Sequence, residues 1–168
     1  MSMPENARRA FDERPQVLEA WGQLLGSIKA NMDERRYELA TLAAARRLRS
    51  SYCSLAHGSV LIDKFDEPVR EIALDRRSAG LDAVDIAVMD LAEQVAADAT
   101  AVDDGDLQHL RDLGLSDPEI MDVVLTAAAR AFFTKTLDGL GVRPDATYRE
   151  LDPELREVLV VGRPISEL

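Results

Sequence analysis

The sequence is poor in the residues from which cross-links and many active sites are made. It has one cysteine, Cys53, and two histidines, His57 and His109. A single thiol cannot close an intrachain disulfide, so the disulfide framework of a small secreted domain is excluded. Long apolar runs are missing too. The longest, such as residues 39–45, fall far below the ~20 residues of a membrane span, and the opening MSMPENARRAFDERP lacks the apolar core of a secretory signal. Positive charge is in deficit, with a formal net charge of −11 and a pI near 4.6. A generic nucleic-acid or acidic-membrane surface needs a basic patch from which counterions are released, and this balance argues against one. There is no β-alternation, no NG or DG hairpin, no glycine-rich phosphate loop and no internal repeat. These absences predict a cytoplasmic protein with neither a nucleic-acid nor a membrane partner.

What is present is enough for one folded domain. The chain has 168 residues, 46% hydrophobic and 30% charged, which is long enough to bury a core. Its apolar residues recur at helical spacing. A charged arm or short helix over residues 1–14 ends at Pro15, which suits the first turn of the next helix. That helix carries Val17, Leu18, Trp21, Leu25 and Ile28, with Trp21 expected to pack, toward a neighbouring subunit. Asp33 is a natural N-cap for a third helix, whose centre LATLAAA is apolar on every side and so predicts complete burial. Asp66-Glu67-Pro68 should open another helix ending near Gly80. A helix with Val84, Val88, Leu91 and Val95 follows, then a short one stopping near Gly114. Ser116-Asp-Pro-Glu119 has the capping-box pattern and opens the longest helix, to about Gly139, with Ile120, Val123, Val124, Ala127, Ala131 and Phe132 expected inward. The expectation is an all-α single-domain helical bundle over 15–150, with a short helix and tail over 151–168.

The chemistry concentrates in Glu38 to His57, ELATLAAARRLRSSYCSLAH. Cys53 and His57 are four residues apart, so on a helix they share a face with Cβ atoms roughly 5–6 Å apart. Ser50 lies three residues before Cys53 on that face. Ser50 or Ser51 can cap the helix, and with Ser50 as cap Cys53 falls in the first helical turn, where the partial positive charge should lower a thiol pKa. A thiol, an imidazole one turn on and a carboxylate entering a buried helix make a plausible relay: His57 takes the Cys53 proton, and Glu38 orients the imidazole directly or through water. Singly, each has a plainer reading: Cys53 a small buried hydrophobe, His57 a hydrogen-bonded histidine, Glu38 a salt-bridge partner of a nearby arginine. A closed zinc site wants four ligands, more than Cys53, His57 and Glu38 supply, and His109 stands in a polar segment without ligand spacing. No metal or cofactor is expected. No nucleophile elbow of a serine hydrolase appears.

The spacing of these residues resembles the AhpD-like group of the carboxymuconolactone decarboxylase superfamily, in its peroxidase-related branch. The pattern there is a glutamate, eleven residues, then C-x-x-C-x-x-x-H. Here Glu38 is followed by eleven residues and Ser50-Ser-Tyr-Cys53-Ser-Leu-Ala-His57, and Leu113 to Ile120 and Ala131 to Val142 resemble the branch's later helices. The resemblance implies an all-helical subunit forming trimers or hexamers. It also implies a thiol-dependent hydroperoxidase in which Cys53 attacks a peroxide, Glu38 and His57 activate it, and an external thiol reduces it. Ser50 stands where the other cysteine belongs, so no C-x-x-C disulfide can close, and a one-cysteine cycle through a sulfenic acid is what the sequence leaves. Ser50 could instead cap the helix and hydrogen-bond the thiolate. Two other functions fit the same residues. One is a lyase on a small carboxylic acid, with His57 as acid/base and Arg46 or Arg49 holding the carboxylate. The other is a non-catalytic redox-sensing oligomer.

Overall fold

The structure, a computed structural model, describes residues 3–167. Among the described residues every regular element is helical: α1 (Glu5–Arg9), α2 (Pro15–Lys29), α3 (Glu34–Arg47), α4 (Ser51–Phe65), α5 (Val69–Asp75), α6 (Ala83–Asp98), α7 (Asp104–Asp112), α8 (Asp117–Gly139) and α9 (Pro153–Leu159). α3 is the axis of the bundle. Its residues 37–45 are all buried, and it packs against α4, α6 and α8. A run without a polar face can only be satisfied by neighbours on every side. Caps fix where the surrounding helices start. Asp33 accepts from Arg36 N–H at 2.9 Å, Asp82 from Asp85 N–H at 2.7 Å, and Ser116 N–H donates to Glu119 at 2.8 Å. Each satisfies a donor that the first helical turn leaves free.

Several boundaries differ from the sequence reading. The arm forms only five residues of helix. Asp66 does not open a helix but closes α4 in the left-handed region, at φ 54°. α5 ends at Asp75, and Gly80 (φ 83°) belongs to the turn before Asp82 caps α6. Phe132 does not face inward, and Val124 and Ala131 are only half-buried. From Ala127 the buried face of α8 continues through Arg130, Phe133, Thr134 and Leu137, so the helical step carries Phe132 outward, 47% exposed. Trp21 packs inside its own chain, stacked on Phe133 with centroids 4.1 Å apart.

Two hydrophobic clusters result. The larger joins α3, α4, α6, α8 and α9 around Leu39, Leu42, Leu55, Val88 and Leu159. The smaller gathers Ala7, Phe11, Trp21, Tyr52, Phe133 and Leu137 around Cys53. Gly58, which leaves space on α4, is filled by the Leu159 side chain, 2.8 Å from where a Cβ would stand. The chain after α9 lies directly on the α3–α4 corner. A Cβ on Gly162 would sit 1.9 Å from the Arg49 carbonyl oxygen, and Gly162 N–H donates to Ser51 Oγ at 2.8 Å. Only glycine permits that approach.

Candidate active site around Cys53

α3 and α4 bring Glu38 and His57 together, with Cys53 one helical turn before His57 on α4, because both helices are buried along the faces that carry them. His57 Nδ1 and Glu38 Oε2 are hydrogen-bonded, so Glu38 reaches the imidazole directly. Lys29 Nζ stands 3.8 Å from the other carboxylate oxygen and 4.5 Å above the Tyr37 ring. Tyr37 meets His57 edge to face, with centroids 6.2 Å apart. Burial favours the neutral form of Glu38, yet the His57 hydrogen bond, with Lys29 and Arg130, outweighs it and holds the carboxyl below its ordinary range. Burial also pushes the His57 pKa down, aided by the positive charge of Arg130 and opposed by Glu38. The pair therefore rests as a carboxylate accepting Nδ1–H from a neutral imidazole.

Cys53 is 2% exposed, and burial pushes its thiol pKa up. The helix N-terminus was expected to lower it. Desolvation wins because the first turn of α4 lies under α1, α2 and α8 rather than facing water. What pulls the thiol back toward the thiolate is Arg130, which the sequence reading did not single out. Its Nη1 lies 3.7 Å from Cys53 Sγ and its Nη2 donates to Tyr37 Oη at 3.0 Å. The guanidinium is 2% exposed and lies 5.6 and 5.8 Å from the Trp21 and Phe133 ring centroids. Among the described residues no carboxylate comes within ion-pair distance of it. A fully buried, permanently charged group without a carboxylate is costly. The groups in contact that can become anions are the Cys53 sulfur and the Tyr37 phenol, and of the two the thiol has the lower ordinary pKa. The signal was readable: in TAAARAFF an arginine stands seven residues after Val123 and three after Ala127, on the inward stripe.

Ser50 occupies the N-cap position of α4, but its side chain makes no capping hydrogen bond. Its buried Oγ lacks a hydrogen bond of good geometry, though it stands near enough to Cys53 and Asp138 to favour their charged forms. Tyr52 anchors the cover over this site. Ala7 N–H donates to Tyr52 Oη at 3.0 Å, and that hydroxyl donates to Asp145. Arg46 and Arg49 do not join His57. They line a separate cleft to which Glu38, Cys53 and His57 do not contribute. Among the described residues no three His, Cys, Asp or Glu side chains converge as metal ligands would.

No protein-family profile matches the chain, and no curated protein does. Solved structures do match. One is the alkylhydroperoxidase AhpD core of an uncharacterized peroxidase-related protein from Ralstonia eutropha JMP134. It is 20% identical over 94% of this chain and 82% of that one, with a TM-score of 0.76. An uncharacterized peroxidase-related protein from Silicibacter sp. TM1040 aligns with a TM-score of 0.76, at 18% identity over 84% and 76% of the chains. A protein of unknown function from Agrobacterium tumefaciens, described as a candidate antioxidant defence protein AhpD, gives 0.70 at 18% identity over 85% and 94%. At these identities the likeness establishes the fold, which is AhpD-like.

Proposed function

We propose that this AhpD-like chain is a thiol-dependent hydroperoxidase that works through Cys53. The observation that carries the reading is the buried Arg130 guanidinium, which contacts the only thiol and, among the described residues, has no carboxylate within ion-pair distance, the Glu38 carboxylate feeling its charge only from farther off. The guanidinium favours negative charge on sulfur, the form that attacks peroxides, against a burial that on balance keeps the resting thiol protonated. The Glu38–His57 pair one helical turn away supplies a base held in one tautomer. The peroxidase-related names of its structural neighbours agree with this reading at the level of fold.

The cycle closes with one cysteine. Cys53 loses its proton to His57 through a water or the peroxide itself, and Glu38 stabilises the resulting imidazolium. The thiolate attacks one peroxide oxygen. An S–O bond forms, the O–O bond breaks, and the departing alkoxide takes the proton back from His57 as an alcohol. The sulfenic acid left on Cys53 reacts with an external thiol, releasing water and forming a mixed disulfide. A second external thiol then reduces that disulfide to free Cys53. Ser50 has no sulfur to resolve the sulfenic acid internally, which makes the external thiol a necessary co-substrate.

Self-association is part of the same proposal. Met121, Ala128 and Phe132 lie exposed along one stripe of α8, with Leu24 exposed on α2. An apolar stripe of this kind fits packing against a second copy in a trimer or hexamer.

The test is peroxide treatment followed by dimedone trapping and mass spectrometry, alongside steady-state peroxide consumption with dithiothreitol. The proposal expects a Cys53 adduct and turnover that Cys53→Ser abolishes. An adduct without turnover leaves a redox sensor, and no adduct on folded protein removes the thiol chemistry altogether.

A further inference from the structure

One cleft of the molecule stands apart from Cys53. It lies at the far end of α3, has a volume of about 460 Å3, and is walled by Arg46, Arg47, Arg49, Arg76 and Arg77. Five of the chain's 20 basic residues thus line one cleft of a protein whose net charge is −11. Only two carboxylates, Asp75 and Glu93, share the lining. Glu93 pairs with Arg76, and Asp75 accepts from Arg77 N–H and Ser78 Oγ.

The plain reading is a set of surface ion pairs, and for Arg76 and Arg77 it holds, because both reach Asp90 on α6. It fails for the other three. Arg46 donates to the carbonyls of Ala73, at 2.8 Å, and Val158. Arg49 donates through Nε to the Val161 carbonyl at 3.3 Å. Among the described residues neither these two nor Arg47 has a carboxylate within ion-pair distance. A carbonyl fixes a guanidinium without cancelling its charge. Arg46 spends both terminal nitrogens on those carbonyls and feels the charge of Glu93, whereas Arg49 is held through Nε alone, so the forks of Arg49 and of the exposed Arg47 can clamp a carboxylate or phosphate with two parallel bonds. Arg49 holds its place with φ 57°, a conformation that glycine would adopt at less cost. Beneath the arginines the floor is apolar, made by Leu42, Ala43, Ile72 and Met89. The volume falls within the ~300–1,000 Å3 of small-molecule sites, more than a bare inorganic ion requires.

The geometry points to a binding site in this cleft for a small organic polyanion, one carrying two or more carboxylate or phosphate groups on a compact apolar body. The site is separate from Cys53 and does not depend on the thiol chemistry. Both anion classes use the same arginine forks, so the experiment carries one arm for each.

Isothermal titration calorimetry with citrate and with pyrophosphate, at low and at moderate salt, tests this on the full chain. The expectation is saturable binding of one ion per chain that weakens as NaCl rises. Either probe binding supports the site, and the tighter one identifies the anion class. The double variant Arg47→Ala/Arg49→Gly should weaken binding at least about tenfold. Glycine at 49 also relieves the left-handed backbone, and circular dichroism checks that the variant folds. Arg8→Ala/Arg9→Ala, on α1, should bind as the parent does, and so should Cys53→Ser. No saturable binding of either probe at millimolar concentration overturns the proposal. So does equal affinity in the cleft variant and the parent.

Discussion

Replacing Arg130 with methionine removes the charge beside Cys53 and leaves an apolar side chain of similar reach. At the 3.7 Å between Nη1 and Sγ, two unit charges attract by about 4 kcal/mol at an effective dielectric of about 20. With about 1.4 kcal/mol per tenfold, that is about three decades of thiolate population at fixed pH. The rate should fall by less, because a more basic thiolate is a better nucleophile. With a Brønsted coefficient of about 0.4–0.5, nearly half of those decades return, which leaves the variant about 30- to 60-fold slower toward peroxide. Global stability should change little. Exchanging a buried, uncompensated charge for an apolar group is neutral or favourable by about 1–4 kcal/mol, while stranding Tyr37 Oη costs about 1–3 kcal/mol. Arg130→Lys retains a charge without the fork and should fall between variant and parent. The assay is stopped-flow mixing with hydrogen peroxide, following the fluorescence of Trp21, the chain's one tryptophan, whose ring lies beside Arg130 and stacks on Phe133. Urea unfolding accompanies it. A folded Arg130→Met protein that reacts within twofold of the parent would refute the argument that this guanidinium sets the charge on sulfur.

The cover over Cys53 gives a second expectation: deleting residues 1–14 removes Ala7 and Phe11 from the cysteine cluster and should speed labelling of Cys53 by a neutral disulfide reagent. Unchanged labelling would mean that access runs by another route. pH should act on stability from both sides. The depressed His57 pKa means that its contribution is complete above its ordinary value of 6.5 and is lost as pH falls, with Glu38 adding to the loss below 4.5. The raised Cys53 pKa contributes below its ordinary value of 9.0 and is lost as pH rises through the folded value. Melting temperatures between pH 4 and 10 check this, and His57→Phe should flatten the limb near 6.5 specifically. Phe132→Glu puts a charge into the exposed stripe of α8 and should shift the gel-filtration mass toward one chain without lowering the melting temperature of that chain. An unchanged elution volume would place self-association elsewhere. Gly162→Ala forces the C-terminal segment off the Arg49 carbonyl and should cost about 1–3 kcal/mol in urea unfolding.

How far the sequence reveals this molecule depends on the kind of interaction involved. Helical periodicity is a local property, and it gave the bundle, the buried α3 and the end of α8 at Gly139. Caps are equally local, so Asp33 and Ser116 were readable, whereas the turn after α5 was not. Asp66 and Gly80 each adopt positive φ and play opposite roles, one closing a helix and one leading toward the next. Which role falls to which residue is decided by packing. Glu38 and His57 stand nineteen residues apart, and their direct bond depends on how α3 lies against α4.

The direction of the Cys53 pKa depends on burial by α1 and α2, two elements that contribute no chemistry of their own. A first-turn position lowers a thiol pKa only where the first turn meets water, and here Phe11, Trp21 and Phe133 exclude it. The same exclusion gives Arg130 its leverage, because a guanidinium in that apolar shell faces a dielectric that strengthens its pull on the one sulfur it touches. Thus the cover that makes the resting thiol reluctant to ionise also makes the thiolate, once formed, hard to displace from its counter-charge. A peroxide entering this shell would meet a sulfur whose charge is set by Arg130 rather than by solvent.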